Sequence, residues 1–327
     1  MRAVWYECNG AADVLHIGEM PDPTPGPGEV RVRIVTSGVN PSDWKRRQGL
    51  TRRMEFPKVI PHQDGAGVID RVGPGVPASR LGERVWLYQA QIGRPFGTAA
   101  EYTVQPAERV IRLPANISFT EGAGLGVPAM TAHRCVCADG PVGGKTVLVT
   151  GGAGAVGHYA IQFAKLHGAR VIATVSSDQK AHIALAAGAD ATVNYRMEDT
   201  TKRLMDLTGG AGVDHIVEVD FAGNFMVSRE VLRSNGVLAL YSAGVAPQPP
   251  VPLQFKASNI TLRFVLVYDM PALAKDAAVQ EITQLLEEGK LRHHPGLHFP
   301  LESARQAQQA VEGGAIGKVV LDVVEGA

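Results

Sequence analysis

Three glycines in the stretch TVLVTGGAGAVGHYAIQFAK, residues 146–165, carry the first chemistry legible in this chain. Gly152, Gly154 and Gly157 stand in the spacing G-x-G-x-x-G, with Ala153, Ala155 and Val156 between them. Such a turn can hold a pyrophosphate. Its first glycine permits the tight turn, its second lets backbone approach the phosphates, and its third lets the helix pack on the strand. The phosphate charge would meet free N–H groups at the helix N-terminus. About 20 residues further on, NAD-binding folds place an Asp or Glu that takes the ribose 2′-hydroxyl. This chain has Ser176, Ser177 and Lys180 in that region. Hydroxyls and an ammonium there suit a 2′-phosphate, which a carboxylate would repel. Asp178, the one discordant residue, is expected to cap the following helix.

These residues need a strand, a turn and a helix to position them. Residues 146–150 are apolar and β-branched, as a buried parallel strand requires. Tyr159, Ile161, Phe163 and Leu166 recur at helical spacing beyond the turn. From about residue 121 onward helices and strands alternate. Strands are expected at 170–175, 192–194, 215–219, 237–241 and 260–265, with helices at 123–137, 178–187 and 227–233. That alternation predicts a doubly wound parallel sheet. Residues 1–115 instead carry short, closely spaced strands punctuated by Gly and Pro, at 2–6, 30–35, 65–72, 83–88, 99–104 and 109–112. That pattern predicts a barrel-like β domain. A helix over 272–290 and a strand over 319–324 return the chain to that first domain.

The 327 residues suffice for two domains, and 45% apolar content suits a globular chain. A formal net charge of zero gives no pull toward nucleic acid or anionic membrane. Arg46, Arg47, Arg52 and Arg53 make the one dense basic cluster, expected to be a solvated face or an anion contact. No apolar run reaches membrane-spanning length and no signal-peptide pattern opens the chain, so a cytoplasmic location is expected. Cys8, Cys135 and Cys137 show neither disulfide-framework nor zinc-site spacing.

In order, GVNPSDWKRR, PHQDGAGVIDRVGPGV, GTAAEY, VLVTGGAGAVGHYAIQFAK, VSSDQK, GADATVNY and GAIGKVVLDV span nearly the whole chain. In this combination the chain resembles the zinc-independent quinone oxidoreductases, or zeta-crystallin-like proteins, of the medium-chain dehydrogenase/reductase superfamily. The resemblance implies an α/β architecture. A GroES-like β-barrel catalytic domain would be built from residues 1–120 and 266–327, and a doubly wound Rossmann domain from 121–265. It also implies NADPH as cofactor, a small-molecule quinone or enone as partner, and a homodimer or dimer of dimers joined through Rossmann edge strands.

The same matching places Asn40, Gln63 and Val127 where zinc-dependent relatives hold their metal. Two neutral amides and an aliphatic group do not offer the thiolate or imidazole that zinc prefers. The resemblance therefore implies hydride transfer to an activated acceptor without a metal. Asn40 and Thr131 are implied near the nicotinamide, with Asn40 able to reach the acceptor's oxygen or the cofactor ribose. Tyr195 is implied at the 2′-phosphate. Ser242 and Gly244 are implied in the cofactor groove, and Phe264, Val265 and Leu266 at the carboxamide. Lys318 is either at the adenine end or on the surface. Lys45 replaces a tyrosine that several members carry near the substrate pocket, while Arg47 matches. Trp44, Tyr88 and Tyr102 are candidate aromatic walls. An enoyl reductase acting on α,β-unsaturated carbonyls, and a non-catalytic NADPH-binding protein of crystallin or RNA-binding type, are the alternatives to a quinone reductase.

Overall fold

The computed structural model describes residues 1–51, 53–242 and 253–324, and the chain divides into two compact units. One comprises Met1–Val127 with Val279–Ala327, the other Pro128–Ala278. Both crossings lie later than the expected boundaries at 120/121 and 265/266. The first falls inside continuous helical structure, since Phe119–Gly122 is followed by a π-turn over Leu125–Ala129 and by the helix Met130–Cys137. The second divides the helix Ala272–Glu287.

The first unit is organised around an eleven-residue strand, Glu29–Val39. Asp64–Val72 pairs antiparallel along one edge of it. Along the other edge lie Tyr102–Pro106, beside its first half, and Lys318–Asp322, beside its last residues. Arg84–Leu87, Val110–Arg112 and Pro295–Pro300 extend the sheet to seven strands. Val30, Val32, Ile34, Ile69, Val85, Leu87, Val319 and Leu321 fill its buried face. Arg31 departs from the in–out alternation of a half-buried strand. It is buried because its guanidinium pairs with Asp70 and lies over the Tyr102 ring. A short helix, Pro41–Arg47, leaves the end of the central strand with Asn40 as its N-cap. Pro41 suits the first helical position, where no N–H partner is needed. The Asp43 carboxylate accepts the Asn40 backbone N–H at 2.8 Å and closes the turn.

The expected basic cluster is divided: Arg53 is exposed, but the others described are held within the unit. Arg47 is fully buried, donating to Gln308 Oε1 at 2.7 Å and to the Gly10 carbonyl. Arg46 pairs with Glu55. Arg52 lies outside the described residues.

The second unit is a six-stranded, wholly parallel sheet. Its spatial order is Ala191–Asn194, Arg170–Val175, Thr146–Val149, Val213–Glu218, Leu232–Leu240, Thr261–Phe264. Numbered along the chain, that is 3-2-1-4-5-6, the dinucleotide-binding order with its switch point beside the first strand. Val147, Leu148, Val149, Val171, Ile172 and Ile216 are all buried, as expected for a sheet covered on both faces. Among the described residues no helix is long and apolar enough to cross a membrane.

Candidate active site

The glycine motif sits at the carboxyl end of the first strand of the parallel sheet. The tight turn falls on Gly151, with φ of +67°, one residue before the glycine expected to make it. Gly152 instead serves close approach, because a Cβ there would stand 2.7 Å from Ala173 Cβ on the second strand. A Cβ on Gly157 would stand 2.4 Å from the Gly151 carbonyl oxygen, so the helix Ala155–Leu166 rests directly on the turn. Gly154 is the helix N-cap and offers no side-chain cap. Beyond the helix's own residues, a Cβ at Gly154 would find only the Gly151 oxygen, at 3.3 Å. His158 N donates to the Gly154 carbonyl at 2.9 Å, so the N–H groups of Ala155, Val156 and Gly157 precede the first closed helical turn. A glycine-walled, uncapped helix N-terminus fits a diphosphate in shape and charge.

Ser176 and Ser177 follow the second strand, Arg170–Val175. Lys180 Nζ donates to Ser176 Oγ at 3.0 Å, which sets an ammonium and a hydroxyl side by side. Ser177, not Asp178, is the N-cap, and its side chain accepts the Lys180 N–H. Three consecutive capping residue types made the cap ambiguous in sequence, and the helix begins at the latest of them. Tyr195 is half exposed beyond the third strand, and its N–H donates to the Val175 carbonyl at 3.1 Å. Backbone pairing therefore brings Tyr195 beside the end of the second strand.

Ser242 follows the fifth strand, and its carbonyl accepts the Phe221 N–H. Gly244 lies outside the described residues. Phe264 ends the edge strand Thr261–Phe264; it and Leu266 are exposed, while Val265 between them is buried. Thr131 is buried in the first turn of Met130–Cys137. Because the sheet is parallel, the motif, Ser176, Tyr195, Ser242 and Phe264 all follow carboxyl ends of strands, the edge where such sheets bind ligands. Near that edge lies a group that sequence reasoning missed, the buried Glu218 carboxylate. It accepts from Thr150 Oγ1, the Asp220 N–H, Asn224 Nδ2 and Ser228 Oγ, and burial raises its pKa.

Asn40 belongs to the first unit, and the structure brings Lys318 to it. Lys318 is 2% exposed, so it is not a surface residue. Pairing of Val319 with Val39 sets Lys318 beside Asn40, at the end of the central strand. Its Nζ lies 2.6 Å from Asn40 Oδ1 and 2.9 Å from Asp64 Oδ2. Asn40 Nδ2 donates to the same Asp64 oxygen at 2.8 Å. The other carboxylate oxygen of Asp64 accepts the Val127 N–H at 2.9 Å. Gln63 accepts the Gln91 N–H. His62 is buried between Ser37 Oγ, at 3.0 Å, and Gln308 Nε2, at 3.2 Å. Through Gln308 the same polar layer reaches Arg47, which also donates to the Gly10 carbonyl. Lys45 Nζ lies 5.7 Å from the centre of the Trp44 ring.

Burial pushes the Asp43 carboxyl up to about 7, an effect the Asn40 N–H opposes and the Asp64 charge reinforces. Lys318 and Arg46 are the cations that favour its ionised form. The folded state therefore holds the Asp43 proton more tightly than the unfolded chain. This stability is complete below the ordinary value of 3.8 and lost as pH rises through 7. The difference is worth about 4 kcal/mol. His62 acts oppositely. Burial, aided by the Lys318 charge, holds it down to about 3, so its contribution is lost as pH falls from 6.5 toward 3. Between about pH 4 and 6.5 the two slopes oppose each other, so Asp43→Asn, which keeps only the His62 limb, is expected to gain stability with rising pH where wild type stays nearly level. Urea unfolding of both proteins across pH 4.5–8 measures this; parallel profiles would refute the assignment.

Residues 26–115 match the alcohol dehydrogenase GroES-like domain, and residues 155–288 match the zinc-binding dehydrogenase family. A 2-haloacrylate reductase of a Burkholderia species is 30% identical over 98% of this chain and 98% of its own. The Escherichia coli quinone oxidoreductase complexed with NADPH superposes with a TM-score of 0.87 at 26% identity, covering 99% of each chain or more. The chain belongs to the zeta-crystallin-like quinone oxidoreductase family of the medium-chain dehydrogenase/reductase superfamily. A structure described as an NAD-dependent alcohol dehydrogenase is also similar, at 33% identity and a TM-score of 0.91, over 99% of this chain and 100% of its own. Membership in this family makes the protein an oxidoreductase with a GroES-like domain and a Rossmann-type domain. It does not choose the acceptor, and zeta-crystallin-like relatives carry names for more than one.

Proposed function

We propose that the protein is a zinc-independent, NADPH-dependent reductase of quinones. The observation that carries the cofactor assignment is the Lys180–Ser176 contact at the end of the second strand, where a 2′-phosphate gains a cation and a hydroxyl and meets no carboxylate. Bound NADPH supplies a hydride from nicotinamide C4. The residues of the chain bind and orient. The amides of Ala155, Val156 and Gly157 hold the diphosphate, Lys180, Ser176 and Tyr195 hold the 2′-phosphate, and Ser242 and the 264–266 segment line the groove. Asn40 and Thr131 act on the reacting end. A quinone already delocalises incoming charge onto oxygen, so positioning and a few hydrogen bonds suffice without a Lewis acid. The neutral amides Asn40 and Gln63 at the positions of metal ligands agree with this, since both are engaged by protein partners. The two units discriminated above correspond to the GroES-like and Rossmann domains, and a cytoplasmic homodimer completes the reading.

The acceptor is tested by initial rates with 1,4-benzoquinone, a larger ortho-quinone, a simple enone and 2-chloroacrylate, all with NADPH. Highest kcat/KM with the quinones supports the reading. Turnover confined to the enone or chloroacrylate transfers the assignment to an α,β-unsaturated carbonyl reductase, the reading favoured by the similarity to 2-haloacrylate reductase.

Gly157→Ala tests the diphosphate cradle. The added methyl must displace backbone, at a cost of about 1–3 kcal/mol. The expected outcome is an NADPH Kd raised about tenfold or more by fluorescence titration. An unchanged Kd would remove the turn from the cofactor site.

A further inference from the structure

We propose that Lys318 and Asp64 are positioning residues for the reaction: together they lock the side-chain amide of Asn40 in one orientation and present its second N–H to the acceptor. The inference rests on the reading of Asn40 as an acceptor-side residue. It begins from a closed ring of three buried side chains. Lys318 Nζ contacts Asn40 Oδ1, Asn40 Nδ2 contacts Asp64 Oδ2, and Asp64 Oδ2 contacts Lys318 Nζ. An ammonium can only donate, and a carboxylate in this ion pair can only accept. The amide therefore cannot flip, because its oxygen must face Lys318 and its nitrogen must face Asp64. The ring closes through the N–H that lies on the same side of the C–N bond as Oδ1. The other N–H is left outside the ring, pointing away from the amide oxygen.

The surroundings hold the ring in place. Asp64 is fixed at its second oxygen by the Val127 N–H and at its carbonyl by Thr98 Oγ1. A Cβ on Gly126 would lie 2.3 Å from Asp64 Oδ1, and one on Gly38 would lie 2.8 Å from Lys318 Cε. Glycine at both positions lets backbone close around the pair. Asn40 is further held by its backbone, whose N–H is taken by Asp43. A buried ion pair is a poor way to stabilise a fold, since apolar side chains of similar volume do as well or better. What the pair supplies that apolar residues cannot is a fixed direction for one hydrogen-bond donor. A donor fixed before the acceptor arrives needs no reorganisation as charge develops on the acceptor's oxygen.

The double variant Lys318→Met/Asp64→Asn removes both charges while nearly preserving volume, and so avoids stranding either one. It is expected to lower kcat about tenfold or more with 1,4-benzoquinone while leaving the KM for NADPH within about twofold. Asn40→Ala is expected to do the same. Combined, the two changes should cost no more than Asn40→Ala alone, because Lys318 and Asp64 act only through Asn40. Additive losses in kcat, or wild-type kcat in the double variant, would overturn the positioning role. A wild-type protein that reduces no acceptor would refute the reading of Asn40 as well, which separates the two failures.

A second measurement needs neither cofactor nor turnover and keeps the inference falsifiable if the double variant does not fold. In 15N-labelled wild-type protein the Asn40 side-chain amide is identified by its disappearance in Asn40→Ala. Its N–H inside the ring is expected to exchange slowly with solvent. Exchange as fast as that of a solvent-exposed asparagine would overturn the ring.

Discussion

Asp64→Ala is expected to destabilise the unit formed by residues 1–127 and 279–327 by about 3–5 kcal/mol. The substitution leaves the Lys318 ammonium 2% exposed and without its counter-charge. It also strips the acceptor from Asn40 Nδ2 and from the Val127 N–H. Each loss leaves a buried donor unsatisfied, which costs more than the net value of the bond it once made. All three tryptophans, Trp5, Trp44 and Trp86, belong to this unit. Tryptophan fluorescence in urea therefore reports its unfolding selectively, and the midpoint should fall sharply. A midpoint within experimental error of wild type would show that the ion pair is not buried as described.

Lys180→Ala is expected to raise the KM for NADPH about tenfold to hundredfold, the range of one charge-assisted hydrogen bond. The KM for NADH should remain nearly unchanged, since NADH carries no 2′-phosphate for the ammonium to meet. The geometry supports this selectivity because Lys180 Nζ already rests on Ser176 Oγ beside the strand end. Equal effects on both cofactors would show that Lys180 acts on the fold rather than on the phosphate.

The parallel sheet was the more legible half of the chain. Its strands are short apolar runs separated by glycines and helical spacing, and local pattern suffices where both faces of a sheet are covered. The strand Arg170–Val175 and the helix beginning at Asp178 start where the pattern places them. Finer roles were less legible. A run of two glycines, Gly151 and Gly152, does not say which one turns, and the structure gives the positive φ to the first.

The polar layer of the first unit was hidden for a different reason. A lysine before an apolar strand, as Lys318 stands before VVLD, reads as a solvated residue. Only antiparallel pairing of segments far apart in sequence brings it to Asn40, 278 residues away, and to Asp64. Arg47 and Gln308, on the helices Pro41–Arg47 and Ala304–Glu312, also meet across a long sequence separation. Long-range partners of single polar residues leave no periodic trace in sequence. The strand His16–Glu19, short and weakly apolar, leaves no such trace either, and the strand and short-helix character of the tail becomes Pro295–Pro300 and Ala304–Glu312 only in the structure.

The most direct test of the central claim is single-turnover oxidation of NADPH by 1,4-benzoquinone after exhaustive chelation, with the transferred C4 hydrogen of the cofactor as protium or deuterium. Full activity without metal, slower oxidation of the deuterated cofactor and a clear preference for NADPH over NADH are the predicted results. Binding of NADPH with no oxidation by any quinone, or activity restored only by added zinc, would contradict it.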